Sequence, residues 1–411
     1  MDTERPSKMR SSLLNVSPML AVLVTQGLFD ATIAYQNGIY LDLRPFVGLT
    51  DALGPLGDLL KRTASEGIDH WDGITIVAES FAPLGQVMSG WYKANGSARM
   101  LKLLACFPQL RDLVIAHAVV NGNLPLLSLL PLEILRAVPY TLLDLAAWDG
   151  HLNVLEFLHS VVGHEGCTTW GMNLAARYGH LDVVRYLHER RSEGCSDWTV
   201  VFAAENGHVE VVKFLHNYFD PSTVLVSAAL KSAASNNRLD VATYIIQVLG
   251  NDERNSTDVI EEAARKGHLQ MVQLLHLNSF ACTTKAMDDA AVGGHLKVVQ
   301  WLHSHRTEGC TTRAMNWAAS NGHLKIVQWL HANRQVGCTN WGLERAATLG
   351  HRDVVEFLVT HRHEVDAKVV LERVKLEYRY DAVAMLESIM DKPSLENRQR
   401  DSNTRQNVSY A

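Results

Sequence analysis

Cysteine is scarce: six in 411 residues are too few for a disulfide framework. No apolar run reaches the roughly 18 residues that a membrane helix requires. Positive charge is not in excess either. Lys and Arg number 38 against 44 Asp and Glu, a formal charge of −6, whereas nucleic-acid binders carry a basic face or stripe. There is no Gly-rich phosphate loop, Gly-x-Ser-x-Gly elbow, His-Glu-x-x-His helix or kinase signature. The expectation is a non-enzyme with no catalytic residues, no metal and no cofactor, binding neither nucleic acid nor membrane. What is present is a core-forming composition, 47% hydrophobic and 20% charged, which rules out a wholly disordered chain.

The ends are less regular than the middle. Leu13 to Val24 is apolar but follows a mixed-sign start and is broken by Asn15 and Pro18, so it reads as a first helix rather than a signal peptide. Secretion, with a mature chain beginning after about residue 25, stays open. The stretch 391–411 is almost wholly polar and reads as a disordered tail. Residues 1–82 are expected to form a helical N-terminal cap, a separate small domain being the alternative.

Between them a tripeptide recurs like a clock. Gly-His-Leu or a near variant begins at Gly150, Gly179, Gly207, Gly267, Gly294, Gly322 and Gly350, spaced 29, 28, 60, 27, 28 and 28 residues apart. The gap of 60 holds a degenerate copy at Asn237-Arg238-Leu239. Weaker copies fall at Asn95-Gly96, Gly122-Asn123-Leu124 and Tyr378. Paired alanines precede the mark (Ala175-Ala176, Ala203-Ala204, Ala318-Ala319) and an apolar run closing on His follows it. A Gly-Cys pair and hydroxyl residues come next, as in Gly309-Cys310-Thr311-Thr312.

Each unit reads as two short helices. The first spans about Thr312–Asn321 and ends at Gly322, where a left-handed residue caps it. The second carries Leu324, Val327, Leu330 and His331 at amphipathic spacing. The second Gly (Gly166, Gly194, Gly309, Gly337) is expected to end that helix. A unit this small cannot bury its stripe alone, so neighbours must stack. About eleven units over 83–390 predict an all-α solenoid of helix-turn-helix repeats.

The pattern Ala-Ala-x-x-Gly-His-Leu-x-Val-Val-x-x-Leu resembles the helical core of the ankyrin repeat over about three quarters of the chain. The period is shorter, about 28 where ankyrin has about 33, and the Thr-Pro-Leu-His opening is missing, Thr312-Arg313-Ala314-Met315 standing in its place. It is similar to the short-repeat ankyrin-like families of protists and large viruses. The resemblance implies that the β-hairpin fingers are short or absent.

Nineteen histidines invite a metal site. Thirteen of them, however, belong to the repeat: seven in Gly-His, and six (His159, His188, His216, His276, His303, His331) closing the second helix. The pairs His303/His305 and His361/His363 lack Cys or carboxylate partners at zinc spacing. Cys167, Cys195, Cys282, Cys310 and Cys338 share one repeat position. Stacked equivalents lie about 8–10 Å apart, too far for a bridge, so they read as small buried hydrophobes in a reducing compartment. Leu130-Pro131-Leu132-Glu133-Ile134-Leu135 resembles an F-box start, but the repeat resumes at Ala146, so Pro131 reads as an inter-repeat turn. The four Asn-x-Ser/Thr sequons match what composition gives by chance.

Positions that vary between units face out. The third residue after each repeat cysteine is Trp170, Trp198, Lys285, Arg313 or Trp341. A slot accepting all three residue types is not buried. The two residues between Ala-Ala and Gly vary too: Arg177-Tyr178, Glu205-Asn206, Ser235-Asn236, Arg265-Lys266, Ser320-Asn321 and Thr348-Leu349. The ankyrin resemblance places these slots on the concave face and first helix. The partner-contact candidates are Trp170, Arg177, Tyr178, Trp198, Glu205, Asn206, Lys285, Arg313, Ser320, Asn321 and Trp341. The tryptophans serve equally well as lids on the core between repeats. The favoured reading is a monomeric, cytoplasmic or nuclear scaffold binding a polypeptide. An adaptor recruiting substrates to a degradation complex through residues 1–82 is the alternative, with a secreted effector behind it.

Overall fold

The computed structural model describes residues 35–36, 39–47, 49, 53, 55–58, 60, 72–96, 99–163, 166–219, 226–248 and 258–391. The Leu13–Val24 segment and all but the first residue of the expected tail lie outside them. The chain parts into two compact units, Met1–Ser196 and Asp197–Ala411.

In the first unit a short antiparallel hairpin, β1 (Tyr35–Gln36) and β2 (Ile39–Tyr40), leads into a 3-10 turn over Leu41–Phe46. Phe46 is fully buried, and its ring meets Trp91 edge-on at 5.5 Å. Arg99 Nε donates to Asp42 at 3.0 Å, tying the turn to the helices that follow. Those are α1 (Asp72–Asn95), α2 (Met100–Cys106), α3 (Arg111–Val120), α4 (Leu124–Leu127), α5 (Leu132–Arg136), α6 (Leu142–Trp148), α7 (Leu152–Glu156), α8 (Thr169–Tyr178) and α9 (Leu181–Arg190). Helix α1 runs through position 82/83, with Pro83 inside it. Pro131 sits at the N-terminus of α5, in the turn expected of it. The first helices of successive pairs (α3, α6, α8) pack one on the next.

The second unit repeats this plan with first helices α10 (Thr199–Asn206), α12 (Val226–Ser235), α14 (Asp258–Arg265), α16 (Thr284–Val292), α18 (Thr312–Ser320), α20 (Asn340–Thr348) and α22 (Ala367–Leu376). The second helices are α11 (Val209–Tyr218), α13 (Leu239–Val248), α15 (Leu269–Leu277), α17 (Leu296–His305), α19 (Leu324–Asn333), α21 (Arg352–His361) and α23 (Tyr380–Met390). First helices stack in order from α10 to α22. Their alanine pairs are the reason they can: Ala290, Ala291, Ala318 and Ala319 are all fully buried, and a methyl side chain lets two backbones come close without side-chain entropy loss. The fold is therefore all-α and ankyrin-like. Among the described residues the repeats contain no strand, as the missing opening implied. No single described helix is long and apolar enough to cross a membrane.

Every clock glycine takes positive φ, between +62° at Gly122 and +89° at Gly207. The two marks without glycine do the same, Asn237 at +55° and Tyr378 at +56°, so the register holds from end to end. Three details differ from expectation. The buried stripe of α19 is Ile326, Val327 and Leu330, with Leu324 and His331 only half-buried; the helix starts at Leu324, whose side chain lies at the edge of the layer rather than over its centre. The second helix also ends before its expected glycine. Arg191, Arg306 and Arg334 follow α9, α17 and α19 in extended backbone, so Gly194, Gly309 and Gly337 shape the link, not the helix end. The repeat cysteines, finally, are half-buried, Cys338 alone being buried, because they lie in that link rather than beneath it.

Candidate functional site

Within each unit three kinds of contact recur between one layer and the one before it, and together they decide which side chains are left for a partner. The Gly-His pair makes the first. The His Nε2 of one repeat donates to a backbone carbonyl two residues ahead of the previous clock mark: His151 to Val120 at 2.9 Å, His180 to Trp148 at 3.1 Å, His268 to Ser235 at 2.8 Å, His295 to Arg265 at 3.0 Å and His323 to Val292 at 3.1 Å. Each bond fixes the ring as the Nε2–H tautomer. The ring also lies on the previous glycine: a Cβ on Gly294 would fall 2.7 Å from His323. Degenerate Arg238 keeps the contact, its Nε donating to the Glu205 carbonyl at 3.0 Å. These histidines are therefore structural.

The second contact links first helices. Asp144 accepts from both the backbone N–H (2.9 Å) and hydroxyl (2.8 Å) of Thr168. Asp288 does the same for Thr311 at 2.8 and 2.7 Å. Asn316 accepts from Thr339 N and donates to its hydroxyl at 2.9 and 3.0 Å, and Asn173 accepts from Ser196 N at 3.0 Å. Thr168, Thr283 and Thr311 also cap their helices, each accepting from the second N–H. Burial pushes Asp144 up to about 6, against the pull of its Thr168 hydrogen bonds. The slot keeps the repeat spacing (144 to 173, 288 to 316), but it is hidden in the sequence because Asp and Asn share it and the partner lies 23 or 24 residues on.

The third contact joins second helices. The closing His meets the aromatic of the next repeat: His159 and His216 bond the Tyr186 and Tyr244 hydroxyls at 2.9 and 2.8 Å. His276, His303 and His331 meet Trp301, Trp329 and Phe357 edge-on at 5.0–5.4 Å. Arg362 Nη1 donates to His331 Nδ1 at 3.2 Å and pairs with Glu364 at 2.8 Å. Burial, with Arg362 beside it, holds His331 below the usual imidazole range. His305 stacks on Trp301 and His361 on Phe357, both at 4.4 Å. Among the described residues no group of three or more His, Cys, Asp or Glu is placed to hold a metal ion. Burial lifts the thiols of Cys282 and Cys310 to about 11 and Cys338 to about 12, well away from the thiolate that redox chemistry needs.

What remains faces outward on the first helices. At three of these slots in the second unit, Lys285, Arg313 and Trp341, the side chain reaches diagonally back to the previous first helix, 24 residues earlier. Lys285 Nζ donates to Glu261 at 2.9 Å, and Arg313 Nη2 to Asp289 at 3.2 Å. Trp341 meets Trp317 with ring centroids 5.0 Å apart. The acids are nearly buried (side chains 6% and 8% exposed) and their cations half exposed (53% and 51%). Each cation thus satisfies a carboxylate that would be costly alone. Burial still raises Asp289, with Arg313 opposing; Glu261 pulls Lys285 up. Trp198 is 53% exposed at the start of α10, whereas Trp341 is half-buried.

The remaining candidates divide. Trp170, Arg177 and Tyr178 lie on α8 in the first unit, Tyr178 exposed and the others half-buried. Glu205 and Asn206 are half-buried at the end of α10, Asn206 bonding the Phe202 carbonyl at 3.0 Å. Asn321 is exposed, its amide donating to the Val292 carbonyl at 2.8 Å. Ser320 is a correction: it is 2% exposed and out of a partner's reach. Its slot lies at the edge of the helix contact, where a long side chain leans out and a serine stays in. Trp317, which the sequence reading did not single out, belongs to the surface.

Layers that touch only their neighbours, with the recurrent residues spent on stacking and the variable ones turned out, define a helical repeat array. Models of ankyrin repeats match it, a many-copy model over residues 287–331 and a three-copy model over 143–224 and 172–258. Residues 143–258 and 287–331 thus carry ankyrin repeats. No curated protein matches the chain significantly. Ankyrin repeats generally mediate protein–protein interaction, and proteins built from them are typically non-catalytic scaffolds.

Proposed function

We propose that the chain is a non-catalytic scaffold that binds a polypeptide on the outward face of its first helices, with Lys285, Arg313, Trp317 and Trp341 among the contacts. The observation that carries this reading is the diagonal row of the second unit. It presents two half-exposed cations and a tryptophan pair on α14–α20, while the Gly-His, Asp/Asn–Thr and His–aromatic contacts absorb the recurrent polar groups. Trp and Arg dominate interface hot spots, and a row held by cross-layer ion pairs is pre-organised, so little ordering entropy is lost on binding.

The test is affinity capture from native extract with mass-spectrometric identification. Intact protein is compared with a Trp317→Ala, Trp341→Ala variant whose helical signal is unchanged. Loss of a specific protein from the variant supports the reading. An unchanged set of captured proteins refutes the assigned face.

A further inference from the structure

The diagonal row has a rung that differs from the others. Glu261–Lys285, Asp289–Arg313 and Trp317–Trp341 each pair within the chain. The same 24-residue step from Arg345 leads to Val369, which is 53% exposed. Val369 cannot accept a hydrogen bond, so among the described residues Arg345 has no side-chain partner, whereas its equivalents beside the alanine pair do: Glu262 bonds Ser235 and Arg265, Asp289 bonds Arg313 and Trp317 meets Trp341. The nearest acid in sequence, Glu344, is engaged by Arg373 at 2.9 Å. Arg345 is half-buried and makes no ion pair among the described residues. It stands one helical turn beyond Trp341, on the same face of α20.

We propose that this open rung is the specificity pocket of the scaffold: Arg345 takes a carboxylate from an extended, acidic peptide segment of the partner, whose neighbouring apolar side chain rests on Trp317 and Trp341. The proposal rests on the polypeptide-binding reading above and adds the partner's chemistry. A guanidinium without an acid in a row of satisfied charges calls for one in trans, and its planar fork matches a carboxylate in two parallel hydrogen bonds. Side chains four apart on a helix stand about 5–6 Å from each other. In an extended peptide, side chains two apart lie on one side at about 6.6 Å. The matching motif is an apolar residue and an Asp or Glu separated by one residue, in either chain direction. Val369 adds an apolar wall beyond the carboxylate.

A displayed library of random dodecapeptides, selected on the full chain, tests this. The expected result is enrichment of apolar-x-Asp/Glu, with binding of the selected peptides weakened at least tenfold by Trp317→Ala, Trp341→Ala and by Arg345→Gln. Arg345→Glu should reverse the preference to apolar-x-Lys/Arg, a readout that partial unfolding does not produce. Peptides that bind but are indifferent to all three variants overturn the pocket and leave polypeptide binding standing. Failure to enrich any peptide on the intact chain counts against both.

Discussion

Replacing Gly294 with alanine separates two demands that the clock glycine meets at once. Gly294 sits at φ +82°, and an added Cβ would lie 2.7 Å from the His323 ring. The left-handed conformation costs an alanine about 1–2 kcal/mol. Displacing the ring also forfeits the His323–Val292 hydrogen bond, a further ~0.5–1.5 kcal/mol net. The total is about 1.5–3.5 kcal/mol. Gly350 is the internal control: φ is +84° and nothing lies within 4 Å of its added Cβ, so Gly350→Ala should show the conformational cost alone, about 1–2 kcal/mol. Urea unfolding followed by far-UV circular dichroism, with and without His323→Ala, gives the cycle. With the ring removed, the cost of Gly294→Ala should fall to that of Gly350→Ala. An equal cost in both backgrounds would refute the idea that the histidine is what the glycine makes room for.

Two other expectations concern the links between layers. Asp144 is raised to about 6 in the folded chain from its ordinary 3.8, so it contributes stability below about pH 4 that is lost as pH rises through 6. Asn173 and Asn316 already fill the equivalent slot. Asp144→Asn should therefore equal the parent near pH 4 and exceed it by up to about 3 kcal/mol at pH 7.5, from 1.36 kcal/mol per unit; denaturation midpoints across that range, differing by a constant, would contradict the raised carboxyl. Arg238 makes the bond that histidine makes elsewhere, so Arg238→His should leave the melting temperature near its parent value while Arg238→Ala costs about 1 kcal/mol. Equal losses in both would mean that packing, not the hydrogen bond, matters there.

The array was legible because its signal is periodic. A period near 28 with Gly at each mark placed the helix pairs from Leu142 onward and the left-handed turn, and it carried through Asn237 and Tyr378, where glycine is gone. The links between layers were harder to see. Asp144, Asn173, Asp288 and Asn316 are of two residue types and pair across 23 or 24 residues, a distance that is not the period because it joins one layer's helix to the next layer's cap. The outward slots were half legible. Variation from Trp to Lys to Arg marked positions 285, 313 and 341 as exposed, but comparing slots one at a time overlooked Trp317, four residues along the same helix face from Arg313. It also placed Ser320 outside, since variation in type does not report which way a short side chain turns.

The histidine staple also bears on how such a chain can change length. What each His grips is a backbone carbonyl and the empty space above a glycine, and neither records which side chains the neighbouring layer carries. As far as this contact goes, a layer can be copied, removed or exchanged without a compensating change next door. This one staple therefore places no demand on the neighbour's side chains when a layer is duplicated, whereas the Asp/Asn–Thr, His–aromatic and diagonal contacts must be matched again.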